Sequence, residues 1–455
     1  MSDIRTILRK QKEFYQQERT RNIQYRLFCL RKLEQSIRRH EEDILEALKE
    51  DLNKPAFEAY ATEIGMVLEE IGHALRHLKT WAKPRTMPGT IANFPSLNRV
   101  YAEPYGVVLI MSPWNYPFQL TFSPLVGALA AGNCAVVKPS NLSPNTSLVM
   151  EQILAEVFPE RYVAVVQGGR EANLSLLEQS FDYIFFTGSV TVGRTVMEAA
   201  ARNLTPVTLE LGGKSPCIVD ETANLKLAAR RIVWGKYLNA GQTCVAPDYL
   251  LVHRSVKHRL LSLMEEYIRR FYGEDACSSS TYPRIINEKH FDRLLDLLQG
   301  ENIVIGGTFS RESRQIAPTV LDGVSWSSPV MSEEIFGPIL PVLEFEHLEE
   351  AVRMINSRPK PLALYCFTTR KENERKIIGS ISYGGGCIND TVMHLATPHM
   401  PFGGVGDSGM GGYHGKASFD TFTHKKSVMK KMAWPDIPLR YPPYKNHLKL
   451  LKKLF

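Results

Sequence analysis

The sequence predicts an α/β protein built from two α/β domains and a small appendage, and three observations support this. Short apolar runs alternate with helical stretches from Tyr105 onward, and a second such series begins after Glu210. Polar or proline-bearing segments at 83–101 and after Gly415 fit neither series. Strands that are buried on both faces of a parallel sheet are continuously apolar, and helices connect them. We therefore expect two mostly parallel sheets.

The individual elements follow from the local pattern. The N-terminal part is rich in Glu, Lys and Leu and predicts amphipathic helices at 44–52 and 61–81. Strands of the first sheet are predicted at 106–111, 135–138, 163–166 and 183–186. The second series predicts a helix at 225–238, a strand at 249–252 and a helix at 256–272.

Composition narrows the class of protein. The 455 residues carry 55 Lys and Arg against 48 Asp and Glu, and this mild excess does not indicate a nucleic-acid partner. The seven cysteines are scattered and never stand in a CxxC spacing, so neither a disulfide framework nor a metal site is predicted. No apolar run approaches the ~18 residues of a membrane span, and the charged N-terminus has no signal core. We expect a cytoplasmic protein without an integral membrane segment.

The closing run, 445–455, places leucines and lysines at roughly helical spacing. Such a run can lie on an anionic membrane surface or pack against its own protein. We expect a packed amphipathic terminal helix.

One thiol and one acid carry the central chemistry. Cys244 lies in the small-residue loop GQTCVAP (241–247), and Glu210 lies beside a glycine turn in TLELGGK (208–214). A free cysteine has a pKa near 8.5, so a nucleophilic thiol needs a base nearby, and a carboxylate is one such base. Taken singly, Cys244 is also explained as a small buried residue, and Glu210 as a helix cap or the partner of a lysine.

Three further motifs concern ligands. FTGSVTVGR (186–194) joins a strand-like run to a helix expected from Thr195, where backbone N–H groups could approach a phosphate, although a tight structural turn explains it equally well. Asn115 in SPWNYPF (112–118) follows another strand-like run, so its amide could donate to an oxyanion or serve only in a turn. The literal GxGxxG at 404–409 lacks a preceding strand and a clear following helix, and we interpret it as a glycine-rich loop.

These motifs occur in one order along most of the chain, and the series resembles that of the NAD(P)-dependent aldehyde dehydrogenases. The resemblance rests on PWNYP (113–117), KPS (138–140), FTGS (186–189) with Gly193, LELGGK (209–214), GQTC (241–244) and EIFGP (334–338). The residues around Asn115 and Cys244 and the sequence PFGGVG (401–406) are most similar to those of the class 3 branch, which includes enzymes that oxidise fatty and aromatic aldehydes.

The resemblance implies a Rossmann-like cofactor domain, an α/β catalytic domain and a small oligomerisation appendage. The expected boundaries are 1–85 and 105–209 for NAD(P) binding, 210–408 for catalysis, and 86–104 with 409–455 for oligomerisation and the C-terminus. It also implies a small-molecule aldehyde as substrate and a homodimer as the assembly.

The resemblance also implies a role for each site residue. Cys244 would attack the aldehyde, the Asn115 amide and the Cys244 N–H would hold the oxyanion of the thiohemiacetal, and Glu210 would activate the water that hydrolyses the resulting thioester. Residues expected at the cofactor are Lys138 and Glu334 at the two riboses, Phe336 near the nicotinamide, Gly188, Ser189 and Gly193 at the pyrophosphate, and Ser140 of the KPS motif.

Two departures from the family pattern have consequences. Many relatives carry a glutamate after KPS, whereas this chain has Asn141, so a carboxylate that would repel a 2′-phosphate is missing. We therefore expect NADP to be accepted alongside NAD. Membrane-bound members of the class 3 branch carry an apolar C-terminal anchor, and none is visible after Tyr444.

Two alternative functions remain. An acylating or reductive relative would form the same thioester and release it to CoA or phosphate, and Glu210 argues against this because such enzymes need no water-activating base. A catalytically silent binding protein of the same fold is disfavoured by the joint presence of Cys244, Glu210 and Asn115.

Overall fold

A computed structural model describes residues 3–436, 438–444 and 448–454, and it confirms the predicted α/β class. The chain opens with helices that pack beside the first sheet, and a π-helical turn at Tyr60–Ile64 separates the last two. These helices are α1 (Ile4–Gln16), α2 (Ile23–Arg39), α3 (Glu41–Leu52), α4 (Ala56–Ala59) and α5 (Gly65–Trp81). The helix predicted at 61–81 is thus α-helical only from Gly65, because a π turn holds one extra residue that apolar spacing does not reveal.

The first sheet is parallel and follows two strands, β1 and β2, that belong elsewhere. In chain order, the elements of this region are β1 (Arg85–Met87), β2 (Ser96–Pro104), β3 (Val107–Met111), α6 (Pro117–Ala131), β4 (Cys134–Lys138), α7 (Pro144–Val157), β5 (Val163–Val165), α8 (Arg170–Leu177), β6 (Tyr183–Gly188), α9 (Val190–Arg202) and β7 (Val207–Leu211). The strands lie in the order β7-β6-β3-β4-β5, so the order reverses between β3 and β6. Loops that leave the carboxyl ends of those two strands form the crevice where such sheets bind ligands.

The second sheet follows directly after β7. Its elements are β8 (Pro216–Val219), α10 (Leu225–Tyr237), β9 (Tyr249–His253), α11 (Lys257–Tyr272), α12 (Glu288–Asp296), β10 (Ile303–Ile305), β11 (Phe309–Ser310), β12 (Gln315–Ile316), β13 (Thr319–Leu321), β14 (Ile339–Phe345), α13 (Leu348–Asn356), β15 (Ala363–Phe367), α14 (Lys371–Ser380) and β16 (Gly385–Ile388). The strands lie in the order β10-β13-β14-β9-β8-β15-β16 and are parallel except for β10. Strands β11 and β12 form a separate antiparallel pair.

The C-terminal part returns to both earlier regions. It contains β17 (Gly409–Met410), α15 (Lys416–Thr421), β18 (Thr423–Lys431) and α16 (Leu448–Leu454). Strand β17 adds to the edge of the first sheet beside β7, and β18 pairs with β2 along its full length in a three-stranded antiparallel sheet with β1. The segments that fitted neither α/β series therefore pair with each other.

The terminal helix departs from its prediction. Residues 445–447 and 455 of the closing run lie outside the described residues, and 448–454 is helical as expected. Leu448 and Leu451 are nevertheless exposed, so the predicted packing of these two side chains is wrong. Amphipathic spacing gives a helix an apolar face, but it does not supply a surface to cover that face. Within the described ranges, no helix is both long and apolar enough to cross a membrane.

Candidate active site

The loop that carries Cys244 has an unusual backbone. It begins after α10 with the turn Leu238–Gly241, in which Asn239, Ala240 and Gly241 all adopt positive φ (51°, 50° and 72°). A Cβ at position 241 would overlap the main-chain oxygen of Gly337, so only glycine fits there. The loop that bears Cys244 is therefore packed tightly against the EIFGP segment.

The Cys244 thiol is half-buried and electrostatically disfavoured as a thiolate. Burial raises its pKa well above the ordinary range, and the nearby Glu334 and Glu210 carboxylates raise it further. The thiol is accordingly protonated at neutral pH and needs a base to become nucleophilic. Both carboxylates that the sequence singled out are close enough to act on this thiol electrostatically.

Glu210 lies on β7, opposite Gly409 of β17 on one side and Thr187 of β6 on the other. It is buried, and neither carboxylate oxygen has a hydrogen-bond partner among the residues that the structure describes. Burial raises the pKa of Glu210 well above its usual value. A buried acid without partners is costly for stability and is a strong base once ionised, as a group that removes a proton must be.

Asn115 lies directly after β3, beside the loop that carries the thiol. Its side chain is buried, and its Nδ2 donates to the main-chain oxygen of Gln242 at 3.0 Å, two residues before Cys244. An amide NH₂ carries two hydrogens, so a second one is left for another acceptor. The next residue, Tyr116, shares a hydrogen bond with Thr243 at 2.7 Å between the two hydroxyl oxygens.

The glycine turn after β6 opens α9 on the other side of the crevice. Ser189 is the N-cap of α9, and its hydroxyl accepts from the Val192 N–H at 3.4 Å. The helix therefore begins at Val190 and not at Thr195, because the cap lies next to Gly188 and Gly193 belongs to the first turn. A Cβ on Gly193 would press into the Leu211 side chain, so this glycine permits close packing of helix and strand.

The KPS motif follows β4 at the same edge of the sheet. Lys138 is buried, and its Nζ donates to the main-chain oxygen of Pro139 at 2.6 Å. Burial lowers the pKa of Lys138 to about 8. The Ser140 hydroxyl accepts from the Leu142 N–H at 3.2 Å and shapes the turn.

A cavity of about 320 Å³ lies between the elements of the two sheets. Arg194 of α9, Gly212, Lys214 and Glu334 line it. A Cβ on Gly212 would overlap the Glu334 carboxylate, so the glycine turn makes room for this acid. Burial raises the pKa of Glu334 to about 8. Phe336, with a φ of 51°, places its ring 5.4 Å from that of Trp114.

One ion pair holds the EIFGP segment in place. Lys214 binds Asp248 at 2.5 Å and also donates to the main-chain oxygen of Glu333 at 2.9 Å. The other oxygen of Asp248 accepts from the Ile335 N–H at 2.9 Å. Glu334 therefore lies between two residues that this pair fixes.

These features fit a dinucleotide cofactor. Strand order reverses between β3 and β6, the first turn of α9 lines the cavity with Val190 and Arg194, and Lys214 and Glu334 add a basic and an acidic side chain to its lining. Such sites bind the pyrophosphate at the helix N-terminus and the ribose hydroxyls through side chains.

The structure thus brings most of the predicted residues to one region, and it shows others that the sequence did not signal. Cys244, Glu210 and Glu334 interact, and Asn115 contacts the loop of the thiol. Lys54 and Glu63, buried behind Asn115, were not predicted, because single charged residues on a helical pattern give no signal of burial. The GxGxxG at 404–409 forms a loop and the short turn Gly406–Ser408, as expected, and ends beside Glu210.

Comparisons with known proteins agree with this geometry. The model of the aldehyde dehydrogenase family matches residues 1–428. The chain is 51% identical to 4,4'-diaponeurosporen-aldehyde dehydrogenase of Staphylococcus aureus over 98% of this chain and 97% of that protein. It is 44% identical to the dimeric NADP-preferring aldehyde dehydrogenase of Canis lupus familiaris, over 97% and 98% of the two chains. The structure described as the substrate-bound state of Staphylococcus aureus AldH superposes with a TM-score of 0.98 at 50% identity and covers 100% of both chains.

Proposed function

The chain belongs to the aldehyde dehydrogenase family, and we propose that Cys244, Asn115 and Glu210 carry its oxidation of an aldehyde to a carboxylic acid. The observation that carries this proposal is the buried Glu210 carboxyl group, which has no hydrogen-bond partner among the described residues and raises the pKa of the Cys244 thiol. In the first step the thiol loses its proton to Glu210, and the sulfur attacks the carbonyl carbon. The carbonyl oxygen becomes an oxyanion that accepts from the second Asn115 Nδ2 hydrogen and from the Cys244 N–H.

The second half of the reaction needs the same acid. When bound, the nicotinamide supplies the hydride acceptor that oxidises the adduct to a thioester on Cys244. Glu210 first releases to solvent the proton that it took from the thiol. It then removes a proton from water, whose oxygen attacks the thioester carbon, and the tetrahedral species collapses to the carboxylic acid with the Cys244 thiolate as leaving group, which takes up the proton that Glu210 holds. Glu334 and Lys138 would hold the ribose hydroxyls, with Ser140 beside Lys138, Phe336 beside the nicotinamide, and Gly188, Ser189 and Gly193 at the pyrophosphate.

Substituting Glu210→Gln separates the two halves. We expect NADH to form more slowly than in the wild type, because the thiol loses its base, but still to about one equivalent per active site, followed by turnover reduced by about 10²- to 10⁴-fold because hydrolysis loses the same base. An acyl group on Cys244 should be detectable by mass spectrometry after the burst. Glu70→Gln is the matched control, because Glu70 is also a buried acid with a raised pKa but accepts from the Gly415 N–H. Unchanged turnover in Glu210→Gln would contradict the proposal.

The acylating alternative predicts a different product. If the thioester is released to CoA or phosphate, adding either to the wild-type enzyme should yield the acyl derivative at a rate matching NADH formation. We expect only the carboxylic acid. Formation of acyl-CoA or acyl phosphate would favour the alternative.

For the cofactor, we propose that NADP serves alongside NAD. Asn141 follows the KPS motif without a carboxylate, and a relative with 44% identity is named as NADP-preferring. Initial rates with both cofactors test this, and strict rejection of NADP would refute it. Asn141→Glu restores the missing charge and should reduce activity with NADP more than activity with NAD.

We propose a medium or long aliphatic or an aromatic aldehyde as the substrate. The name of the Staphylococcus aureus relative specifies a 4,4'-diaponeurosporen-aldehyde, and the class 3 resemblance points the same way. Met66 lines a surface cavity of about 210 Å³ with Leu395 and Pro398, and Tyr116 lies next to the loop of the thiol. Because each buried methylene contributes about 0.8 kcal/mol, kcat/KM should rise with chain length. A flat or falling profile from butanal to decanal would contradict this choice.

We also propose a cytoplasmic homodimer. Strand β18 is the edge of its sheet and exposes Val428 and Met429, and edge strands of this kind are covered in stable proteins. The domain boundaries given above remain part of the same proposal, with 86–104 and 409–455 serving association. Seven cysteines without a disulfide suit a reducing compartment. Sedimentation analysis of the wild type and of Val428→Glu tests the assembly, and an unchanged dimer in the variant would exclude β18.

A further inference from the structure

The helix that follows Asn115 begins without a cap of its own. Every residue of α6 is buried, and Tyr116 occupies its N-cap position without a side-chain hydrogen bond. Helix N-termini leave several N–H groups without intrahelical acceptors, and tyrosine is a poor residue for capping them. A buried helix end of this kind requires acceptors from another part of the chain.

Glu63 supplies those acceptors from 55 positions away. Its Oε2 accepts from the Phe118 N–H at 2.9 Å and from the Gln119 N–H at 3.1 Å. Its Oε1 accepts from Lys54 Nζ at 2.6 Å, and both side chains of this ion pair are fully buried. Glu63 lies on the π-helical turn, a local irregularity that is frequent at functional sites.

Lys54 makes a second bond, to the peptide group of Asn115 itself. Its Nζ donates to the Asn115 main-chain oxygen at 3.2 Å, and Asn239 Nδ2 donates to the same oxygen at 2.8 Å. The ammonium group also lies 4.2 Å from the centroid of the Tyr116 ring. The Asn115 peptide group is thus fixed from two sides, and the helix that follows it is fixed by Glu63.

Fixing this peptide group also restrains the Asn115 side-chain amide, which binds the loop of the thiol. Only two side-chain torsions separate the Asn115 backbone from Nδ2, which donates to Gln242 next to the loop of Cys244. A displacement of about 1 Å of such a group can cost a factor of about 10² in rate.

We propose that the Lys54–Glu63 ion pair is a positioning element of the catalytic site, which holds the Asn115 amide where the oxyanion forms. This rests on the proposed function of Asn115. Stability alone does not account for the pair, because well-packed apolar residues often replace a buried ion pair without loss. The ion pair binds the main-chain oxygen of Asn115, the proposed donor to the oxyanion, and thereby orients this residue. An apolar pair could not do so, because it offers no hydrogen bond.

The test is a cycle of substitutions read by transient kinetics. Lys54→Met/Glu63→Gln removes both charges, keeps an amide oxygen near the N-terminus of α6, and removes the lysine donor to the Asn115 main-chain oxygen. We expect the NADH burst rate constant to fall about 10-fold in this variant and about 10²- to 10³-fold in Asn115→Ala. Combining all three substitutions should lower the rate no further than Asn115→Ala alone, since Lys54 acts through Asn115.

Alkylation of Cys244 by iodoacetamide provides a second readout, because this reaction forms no oxyanion. We expect its rate to stay within about twofold of the wild type in the Lys54→Met/Glu63→Gln variant. Lys257→Met is the matched control, since Lys257 is another buried lysine, bound to Asp322 and Glu344. It should leave both rates unchanged.

Two results would overturn the proposal. Multiplicative losses in the triple variant would show that Lys54 and Glu63 act independently of Asn115, and a parallel fall in alkylation would show general disruption of the site. A normal burst in Asn115→Ala alone would instead refute the proposed role of Asn115, and with it the positioning role. If the double variant does not fold, Lys54→Gln, which keeps a donor of shorter reach, enters the same cycle.

Discussion

Glu210 and Glu63 are two buried acidic residues whose surroundings differ in almost every respect. Glu63 has three hydrogen-bond donors, from Lys54, Phe118 and Gln119. Glu210 has none among the described residues, and burial raises its pKa well above the usual value. Burial alone therefore does not distinguish an acid that builds a site from one that reacts in it.

This difference indicates that the number of hydrogen bonds accepted by a buried carboxyl group determines whether it has a structural or a chemical role. A carboxyl group whose oxygens accept several hydrogen bonds orders the groups around it. A buried carboxyl without donors is destabilised as an anion, and ionisation makes it a strong base. The comparison predicts that substitutions near Glu210 change activity, whereas substitutions at the ion pair with Glu63 change stability as well.

The largest effect is expected beside Glu210. Cys244→Ala should lower NADH formation by about 10⁴-fold or more, because the covalent route is lost. Cofactor binding and the melting temperature should stay close to those of the wild type. Cys277→Ala is the control, since the thiol of this half-buried cysteine donates to the main-chain oxygens of Thr308 and Gln315. Residual activity within tenfold of the wild type would remove Cys244 from the mechanism.

The next effect concerns the ion pair. Lys54→Met leaves the Glu63 carboxylate buried beside an apolar side chain and should reduce the free energy of unfolding by about 3–5 kcal/mol. Lys54→Met/Glu63→Gln removes the uncompensated charge and should recover most of that loss. Denaturant unfolding of the two variants measures the difference. Equal stability of the single and the double variant would show that the pair is not electrostatically coupled.

A smaller change in the free energy of unfolding, opposite in sign to that of Lys54→Met, is expected for a substitution at Glu210. A carboxyl whose pKa is raised in the folded state binds more protons there than in the unfolded chain, so its contribution to stability falls as pH rises from the unfolded pKa through the folded one. Glu210→Gln should thus stabilise the protein by about 1 kcal/mol at pH 8 and by less at pH 5. Thermal unfolding at the two pH values tests this. A variant less stable than the wild type at pH 8 would contradict the account of Glu210.

The smallest effect is expected at Glu334, a buried acid whose surroundings are intermediate between those of Glu63 and Glu210. Burial raises its pKa to about 8, while the Gly213 N–H and Lys214 oppose that rise. Above pH 8 the carboxylate predominates and accepts more strongly from ribose hydroxyls than a neutral amide does. The Kd for NAD of Glu334→Gln relative to the wild type should therefore rise by about fivefold between pH 6.5 and 9. Isothermal titration at both pH values measures this ratio, and a constant ratio would exclude Glu334 from the ribose site.

The comparison also shows which residues a sequence can reveal. Cys244 and Asn115 stand in distinctive loops, Glu210 lies beside a glycine turn at the end of β7, and the family resemblance of these motifs predicts their roles. Lys54 and Glu63 lie in an ordinary amphipathic pattern rich in Glu and Lys, where charged residues are expected to face solvent. The start of α9 at Val190 was missed because β-branched residues open the helix, and the packing of Leu448 and Leu451 was wrongly expected from spacing alone.

The sequence by itself determined the α/β class and the order of the chemical motifs, because strand periodicity and loop composition are local properties of the chain, and the resemblance carried by those motifs predicted the thiol and its acid. Only the tertiary structure decided which buried carboxylate has donors and which has none. Those donors include residues that are distant in sequence, such as Phe118, whose N–H binds Glu63 across 55 positions. A pKa depends on burial and charges in space, and therefore on contacts that the folded chain alone creates.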